Sequence, residues 1–262
     1  MHINRVGRVA SVLFLAVIAL TAQAQQASPA QSRLQTIQDM RSLGFLICAN
    51  TLVYFNQNGN PYDPRNKKSY QQGMAQLQDL ADKTKFPDVS AELERLRSNL
   101  DNTESLPQTI AELRATEPSY TRVLLPVIES HAQLQMLLDQ HYAESQGVEG
   151  NEVVGKFNAL GRDIGQLLVG YQIASFSRLG AEMWVVSEEQ IQERDKKVVE
   201  VFNQLGTDYP YLVKSIKRSE SQYFFVRAML LNQGGKWAPS GVERFMGLAM
   251  VELDKIARES AR

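Results

Sequence analysis

Two histidines, His131 and His141, are the residues of this chain whose chemistry and placement could serve a site inside the protein. Both lie on the apolar stripe of one predicted helix, where a polar ring needs a buried partner or a route to water. Such a ring could ligate a haem iron or a metal ion within a helical bundle. Ten residues at 1.5 Å rise place the two rings about 15 Å apart, so the two cannot hold one ion together. Each histidine therefore has either a structural role or a ligand site that another helix completes.

Several familiar site patterns are missing from the sequence. A carboxylate-bridged di-metal bundle uses a Glu-x-x-His pair on two helices, and that pair does not occur. The single cysteine, Cys48, excludes a cysteine-rich zinc site and an internal disulfide, and its apolar neighbours indicate a buried thiol. No Gly-rich phosphate loop, nucleophile elbow or His-Glu-x-x-His motif is present. An enzyme with an unrecognised site therefore stays only as a second alternative.

Aromatic residues give the best sequence indication of a binding surface. Tyr223, Phe224 and Phe225 follow one another, and three consecutive residues of a helix cannot all face its core. At least one of them is expected to meet another helix or a partner, or to be exposed. Trp237, near a predicted helix end, completes this candidate surface.

Two basic groups could attract an anionic lipid or a cell-wall polymer, although a charged helix surface is usually only solvated. One group consists of Lys214, Lys217 and Arg218, and the other lies within residues 65–85.

Two glycines of one predicted helix, Gly161 and Gly165, form a small-xxx-small pair. Each glycine inside a helix costs about 1 kcal/mol relative to alanine, so another contribution should offset it. Close packing of a neighbouring helix is one explanation, and a flexible helix beside a ligand cleft is the other.

The elements that must position these residues are helices. Apolar residues recur every three to four positions after residue 31, and no period-two strand pattern is present, which predicts an all-α fold. Turn and capping signals divide the chain: Ser187 with Gln190 and Ser240 with Glu243 have the spacing of capping boxes, and Asp208 is expected to cap a helix. The predicted helices cover residues 32–56, 67–84, 89–100, 106–113, 118–145, 152–186, 187–205, 208–233 and 240 to near the C-terminus.

Three helices carry apolar stripes with an average spacing of 3.5 residues, starting at Tyr120, Val153 and Tyr209. Such stripes keep two helices in contact along their length. Short turns between long helices favour antiparallel neighbours. We therefore expect an elongated antiparallel bundle as one domain over residues 32–262, with residues 60–117 as a smaller cap of short helices.

The N-terminus resembles a secretory signal peptide. Arg5 and Arg8 precede the apolar run 9–20, which is too short to span a membrane as a helix. Small residues then mark a cleavage site formed by Ala22, Ala24 and Gln25. The pattern predicts a signal peptide over residues 1–24, a flexible lead-in over 25–31, and export to the periplasm or beyond in a bacterium.

Charge and composition narrow the functional classes. Without Arg5 and Arg8 the chain holds 26 Lys and Arg against 29 Asp and Glu, a net charge of −3, which argues against a nucleic-acid partner. The mature chain has no segment apolar enough to cross a membrane. The leading hypothesis is an exported, non-catalytic cell-envelope protein that binds a protein partner as a helical adaptor or assembly module. The alternative is a periplasmic carrier or sensor of a small ligand, haem or metal, with a cavity near His131 or His141.

Overall fold

The computed structural model describes residues 29–149, 151–176, 179, 187–231 and 236–261. Within these ranges all regular structure is helical, which confirms the predicted all-α class. Two short 3₁₀ turns, Thr103–Ser105 and Pro210–Leu212, accompany the α-helices. The α-helices are α1 (Pro29–Phe55), α2 (Pro64–Thr84), α3 (Pro87–Asn102), α4 (Ile110–Ala115), α5 (Tyr120–Glu149), α6 (Glu152–Ala174), α7 (Glu188–Asp208), α8 (Val213–Leu231) and α9 (Pro239–Ser260).

Helix α1 forms the centre of the packing. Helices α2, α5, α6 and α9 all pack against it, whereas α3 packs on α5, α7 on α6 and α8, and α8 on α9. One stripe of α1 is buried at alternating spacings of four and three, and it contains two polar residues. Its members are Leu34, Gln38, Arg41, Phe45, Cys48 and Leu52.

The apolar stripes predicted for α5, α6 and α8 face the core over most of their length. In α5, Tyr120, Leu124, Val127, Leu134 and Leu138 are buried; in α6, Phe157, Leu160, Ile164, Leu167 and Tyr171; and in α8, Ile216, Tyr223, Val226 and Leu230.

Residues 60–117 do not form a separate cap. Helix α2 has 21 residues and packs along α1, and α3 packs along α5. Only α4, with six residues, is short, and none of its residues is buried. The prolines at positions 64 and 87 therefore begin full helices of the main packing, where their fixed φ suits the first turn.

Some helix ends agree with the capping signals and others differ. Ser187 and Gln190 form the predicted capping box at the start of α7. Helix α9 begins at Pro239 instead of after Ser240, because the Glu243 carboxylate that would complete that box accepts a hydrogen bond from Asn50 of α1 at 2.8 Å.

The break between α7 and α8 also differs from the prediction. Asp208 ends α7 instead of capping α8, and its carboxylate contacts Lys156 at 3.1 Å. Helix α6 ends at Ala174 instead of extending to residue 186. The rest of that predicted helix, from 177 onward, lies outside the described residues except for position 179.

The predicted signal peptide and its cleavage site at Ala22, Ala24 and Gln25 lie outside the described residues. Residues 29–31 of the predicted lead-in belong to α1, which begins at Pro29, and residues 25–28 lie outside the described residues. Among the described residues, none of the helices has the length and apolar character that a membrane crossing requires.

Gly165 lets α6 approach α1 closely, because a Cβ atom on it would overlap the ring of Phe45. A Cβ atom on Gly161 would lie 3.4 Å from the side-chain nitrogen of Gln38, which is close to ordinary contact. Close helix packing, the first of the two predicted roles, therefore explains Gly165.

Candidate functional site

His131 lies in the core between α5 and α1. Its side chain is 4 % exposed and meets the ring of Phe45 edge-on, with centroids 5.3 Å apart. Burial lowers the pKa of His131 to about 4, so the ring is neutral at physiological pH. Its Nε2 atom has no hydrogen-bond partner within the described part of the chain.

His141 occupies a different setting, at the contact of α5 with α3. Its Nε2 atom lies 2.9 and 3.0 Å from the two carboxylate oxygens of Asp88, and its ring stacks on Phe86 at 3.8 Å. Arg33 of α1 covers the same Phe86 ring at 4.8 Å. The imidazole thus fixes α3 against α5.

The positions of His131 and His141 bear on the alternative hypothesis that the protein carries a small ligand, a haem or a metal ion. The described residues contain no group of three His, Cys, Asp or Glu side chains placed to share a metal ion. Cys48, the remaining soft ligand, is fully buried, and burial raises the pKa of its thiol to about 12. Neither histidine therefore lies in a set of protein ligands, and the cofactor site stays a prediction from sequence.

The aromatic residues divide between the core and the surface. Tyr223 is fully buried, and its hydroxyl donates to Asp195 at 2.7 Å, so it does not belong to an exposed surface. Phe224 and Phe225 are exposed. Trp237 is half-buried against Tyr171, with ring centroids 5.1 Å apart. The predicted surface is thus reduced to two phenylalanines on the outer side of α8.

A polar cluster around the buried Arg41, which the sequence did not indicate, joins α1, α5 and α6. Arg41 is 4 % exposed, and its guanidinium lies 2.7 Å from Asp139 and 4.7 Å from the centroid of Tyr142. Arg162 of α6 contacts the other oxygen of Asp139. Gln135 donates to the backbone carbonyl of Arg41 at 3.0 Å. Buried charges need such partners, so the cluster holds three helices in one register.

An open bowl of 960 Å³ lies beside the connection from α3 to α5. Its lining includes the carboxylates of Asp101 at the end of α3, Glu104 in the 3₁₀ turn and Glu117 in the following loop. The amide of Gln108, which also lines the bowl, donates to the backbone carbonyls of Thr103 and Leu106, both at 3.0 Å. Because the Gln108 amide donates to carbonyls of its own loop, the path of that loop explains the bowl better than a bound ligand does.

A groove along α1 is the better candidate site. Helices α2 and α9 flank the same side of α1, and two cavities of 370 and 440 Å³ lie between them. The two cavities share Leu43, Leu46, Gln76 and Val251, so they are halves of one groove. We call it the α2–α9 groove. Its floor is α1, and its walls are α2 and α9.

Two glycines bring the walls of the α2–α9 groove close to its floor. A Cβ atom on Gly73 of α2 would lie 2.8 Å from the Ile47 side chain. One on Gly247 of α9 would lie 3.1 Å from Leu46. The middle of the groove is consequently shallow and apolar, whereas charged residues such as Lys83, Arg244 and Arg258 lie towards its ends.

A buried carboxyl group, Asp254, and a half-buried one, Glu243, line the same groove. Asp254 is 5 % exposed and accepts a hydrogen bond from Gln38 at 3.2 Å. Burial raises its pKa to about 7, against a hydrogen bond from Ser42 that lowers it. Burial likewise raises the pKa of Glu243, which accepts from Asn50. These groups can receive a hydrogen bond or a cation from a molecule in the groove.

Sequence reasoning missed both carboxyl groups. Asp254 directly follows Leu253 of the predicted α9 stripe, and this adjacency was the one local signal of a buried acid. Glu243 was assigned to a helix cap. Comparisons with known protein families, with curated proteins and with solved structures find no match to this chain, so its function must be argued from the groove itself.

Proposed function

We propose that this protein is an exported, non-catalytic adaptor of the bacterial cell envelope that binds a helix of a partner protein in the α2–α9 groove. One observation carries the proposal: two helices flank α1 without closing over it, and the space between them has an apolar middle with charged ends. An apolar centre with a polar rim is the usual composition of a protein interface.

The shape of the α2–α9 groove favours a helix as the occupant. Helix-in-groove recognition places apolar side chains of the ligand at i, i+3, i+4 and i+7 into a hydrophobic channel. Leu43, Leu46 and Leu80 supply that channel, and the partly exposed Val251 forms part of its rim. The helix that fits would carry an aliphatic stripe and one donor or basic side chain that reaches Asp254.

Export is the second part of the proposal, and the N-terminal sequence supports it. A basic start, an apolar run and small residues at Ala22 and Ala24 form the order that signal peptidases recognise. Fractionation of the native host and mass spectrometry of the intact protein test it. The expected product starts at Gln25 in the periplasmic or secreted fraction, and an uncleaved cytosolic product would contradict it.

Photo-crosslinking in the native host tests the groove. A benzoylphenylalanine at position 251 should give an adduct with one partner protein, whereas the same probe at Glu94, 72 % exposed on α3, should not. Val251→Arg should abolish co-purification of that partner. Ile110→Arg, at a similarly exposed apolar position on α4, should retain it. Equal adducts from both probe positions would refute the groove as the binding site.

A further inference from the structure

The outer face of α8 combines exposed apolar and basic side chains. Phe225 is 61 % exposed, and Phe224 and Met229 are also exposed over the second half of the helix. In the first half, Lys214 and Lys217 point outward together with Arg218. We call these six residues the α8 face. Val213, the exposed first residue of α8, and Tyr211, 74 % exposed in the turn before it, extend the face.

Positive charge dominates the α8 face. Glu220 is the one acidic residue of α8; it is half-buried and contacts Lys217 at 2.7 Å. Glu252 of α9, also half-buried, approaches Arg218 only to 3.9 Å. Among the described residues, Lys214 has no carboxylate within ion-pair distance. The face therefore keeps cations available for an external anion.

The side of α8 behind this face is rigidly held. Tyr223 and Arg227 both bind the buried carboxylate of Asp195 on α7, the arginine through two nitrogens at 2.7 to 3.1 Å. Phe225 rests one side of its ring on Phe245 of α9, at 4.4 Å between centroids. The exposed side chains are thus presented on a fixed helix, and their exposure is not explained by packing inside the protein.

We propose that the α8 face docks the protein on the surface of a bilayer that contains anionic lipid. Apolar side chains beside Lys and Arg on one exposed helix face are the composition of helices that lie in a membrane interface. Clustered cations are attracted to anionic headgroups, and aromatic rings enter the headgroup level.

This inference is independent of the α2–α9 groove and is tested without any partner protein. The protein, purified from the host, is sedimented with vesicles of phosphatidylethanolamine that contain one third phosphatidylglycerol, and with vesicles of phosphatidylcholine alone. The expected result is binding to the anionic vesicles that is at least tenfold tighter than to the neutral ones. Raising the salt concentration should weaken the binding to anionic vesicles, because salt screens exposed charges.

Matched variants locate the binding surface. Lys214→Glu/Lys217→Glu should lower the affinity for anionic vesicles at least tenfold, whereas Lys68→Glu/Lys196→Glu makes the same charge change at exposed positions of α2 and α7 and should leave it unchanged.

The aromatic contribution has its own matched pair. Phe224→Ser/Phe225→Ser should also weaken binding to anionic vesicles, whereas Ile110→Ser/Met136→Ser removes exposed apolar residues elsewhere and should not. Circular dichroism establishes that all four variants are folded. Absence of vesicle binding, equal losses for test and control variants, or binding of the α8 face to a protein in place of lipid would overturn the proposal.

Discussion

The buried carboxyl of Asp254 should make the stability of this protein fall as the pH rises. Burial raises its pKa to about 7 from the ordinary 3.8, and the nearby Asp39 carboxylate acts in the same direction. Between these two values the folded protein holds a proton that the unfolded chain has already released. Since the folded state binds more protons there, its free energy of unfolding decreases with pH through this window and levels off above about 7.

The magnitude follows from the two pKa values. The interval from 3.8 to about 7, at 1.36 kcal/mol per pH unit, corresponds to about 4 kcal/mol of stability lost by pH 8. Asp254→Asn removes the titration while keeping the side-chain shape and the acceptor for Gln38. The variant should match the wild type near pH 4 and exceed its stability by about 3 to 4 kcal/mol at pH 8.

Urea denaturation at pH 4.5, 6 and 8 measures both proteins, with the free energy of unfolding obtained from the midpoint and the slope. Asp79→Asn is the control, because Asp79 lines the same groove but is exposed, so the same substitution there removes no buried carboxyl group. A constant difference between Asp254→Asn and wild type at all three pH values would refute the reasoning. It would mean that the Asp254 carboxylate is hydrated in the folded protein.

Three further perturbations test the packing described above. Asp88→Asn removes the carboxylate beside His141. Because the pKa of Asp88 is lowered in the folded state, the free energy of unfolding of the variant should be lower by about 0.5 to 1 kcal/mol at pH 7 and unchanged near pH 2. Urea titrations at the two pH values measure this difference. Gly165→Ala should cost about 1 to 3 kcal/mol because its methyl group overlaps an aromatic ring of α1, whereas Gly206→Ala in α7, with 4.0 Å of space, should raise the melting temperature. The Cys48 thiol should resist a disulfide reagent at pH 8 until the protein unfolds, and labelling as fast as that of a free thiol would show that the core around it opens.

Helical periodicity carried most of the fold prediction. The spacing of apolar residues depends only on the local sequence, and it identified the buried sides of α5, α6 and α8 before any packing was known. Prediction from the local sequence failed where a residue bonds to a partner far away in the chain. The α9 cap was assigned wrongly because Glu243 bonds to Asn50, which lies 193 positions away in the chain.

The candidate site could not be predicted in the same way. The α2–α9 groove exists because α2 and α9 both pack on α1 and leave a channel between them. Which helices become neighbours is decided by contacts between their apolar stripes, and several arrangements of such stripes are compatible with one sequence pattern. The α8 face, in contrast, could be predicted in part from the sequence, since Phe224 and Phe225 could not both be buried in a helix whose stripe contains Tyr223.

The polar residues in the buried stripe of α1 link the packing of the helices to the candidate site. Arg41 can be buried only where Asp139 of α5 meets it, and Gln38 only where Asp254 of α9 accepts its hydrogen bond. Because an unpartnered polar group is costly in the core, each of these contacts admits one register of its helix against α1. The same Asp254 that sets the register of α9 also lines the α2–α9 groove. The contact of Gln38 with Asp254 therefore links the register of α9 to the lining of the groove, whereas the contact of Arg41 with Asp139 acts on α5.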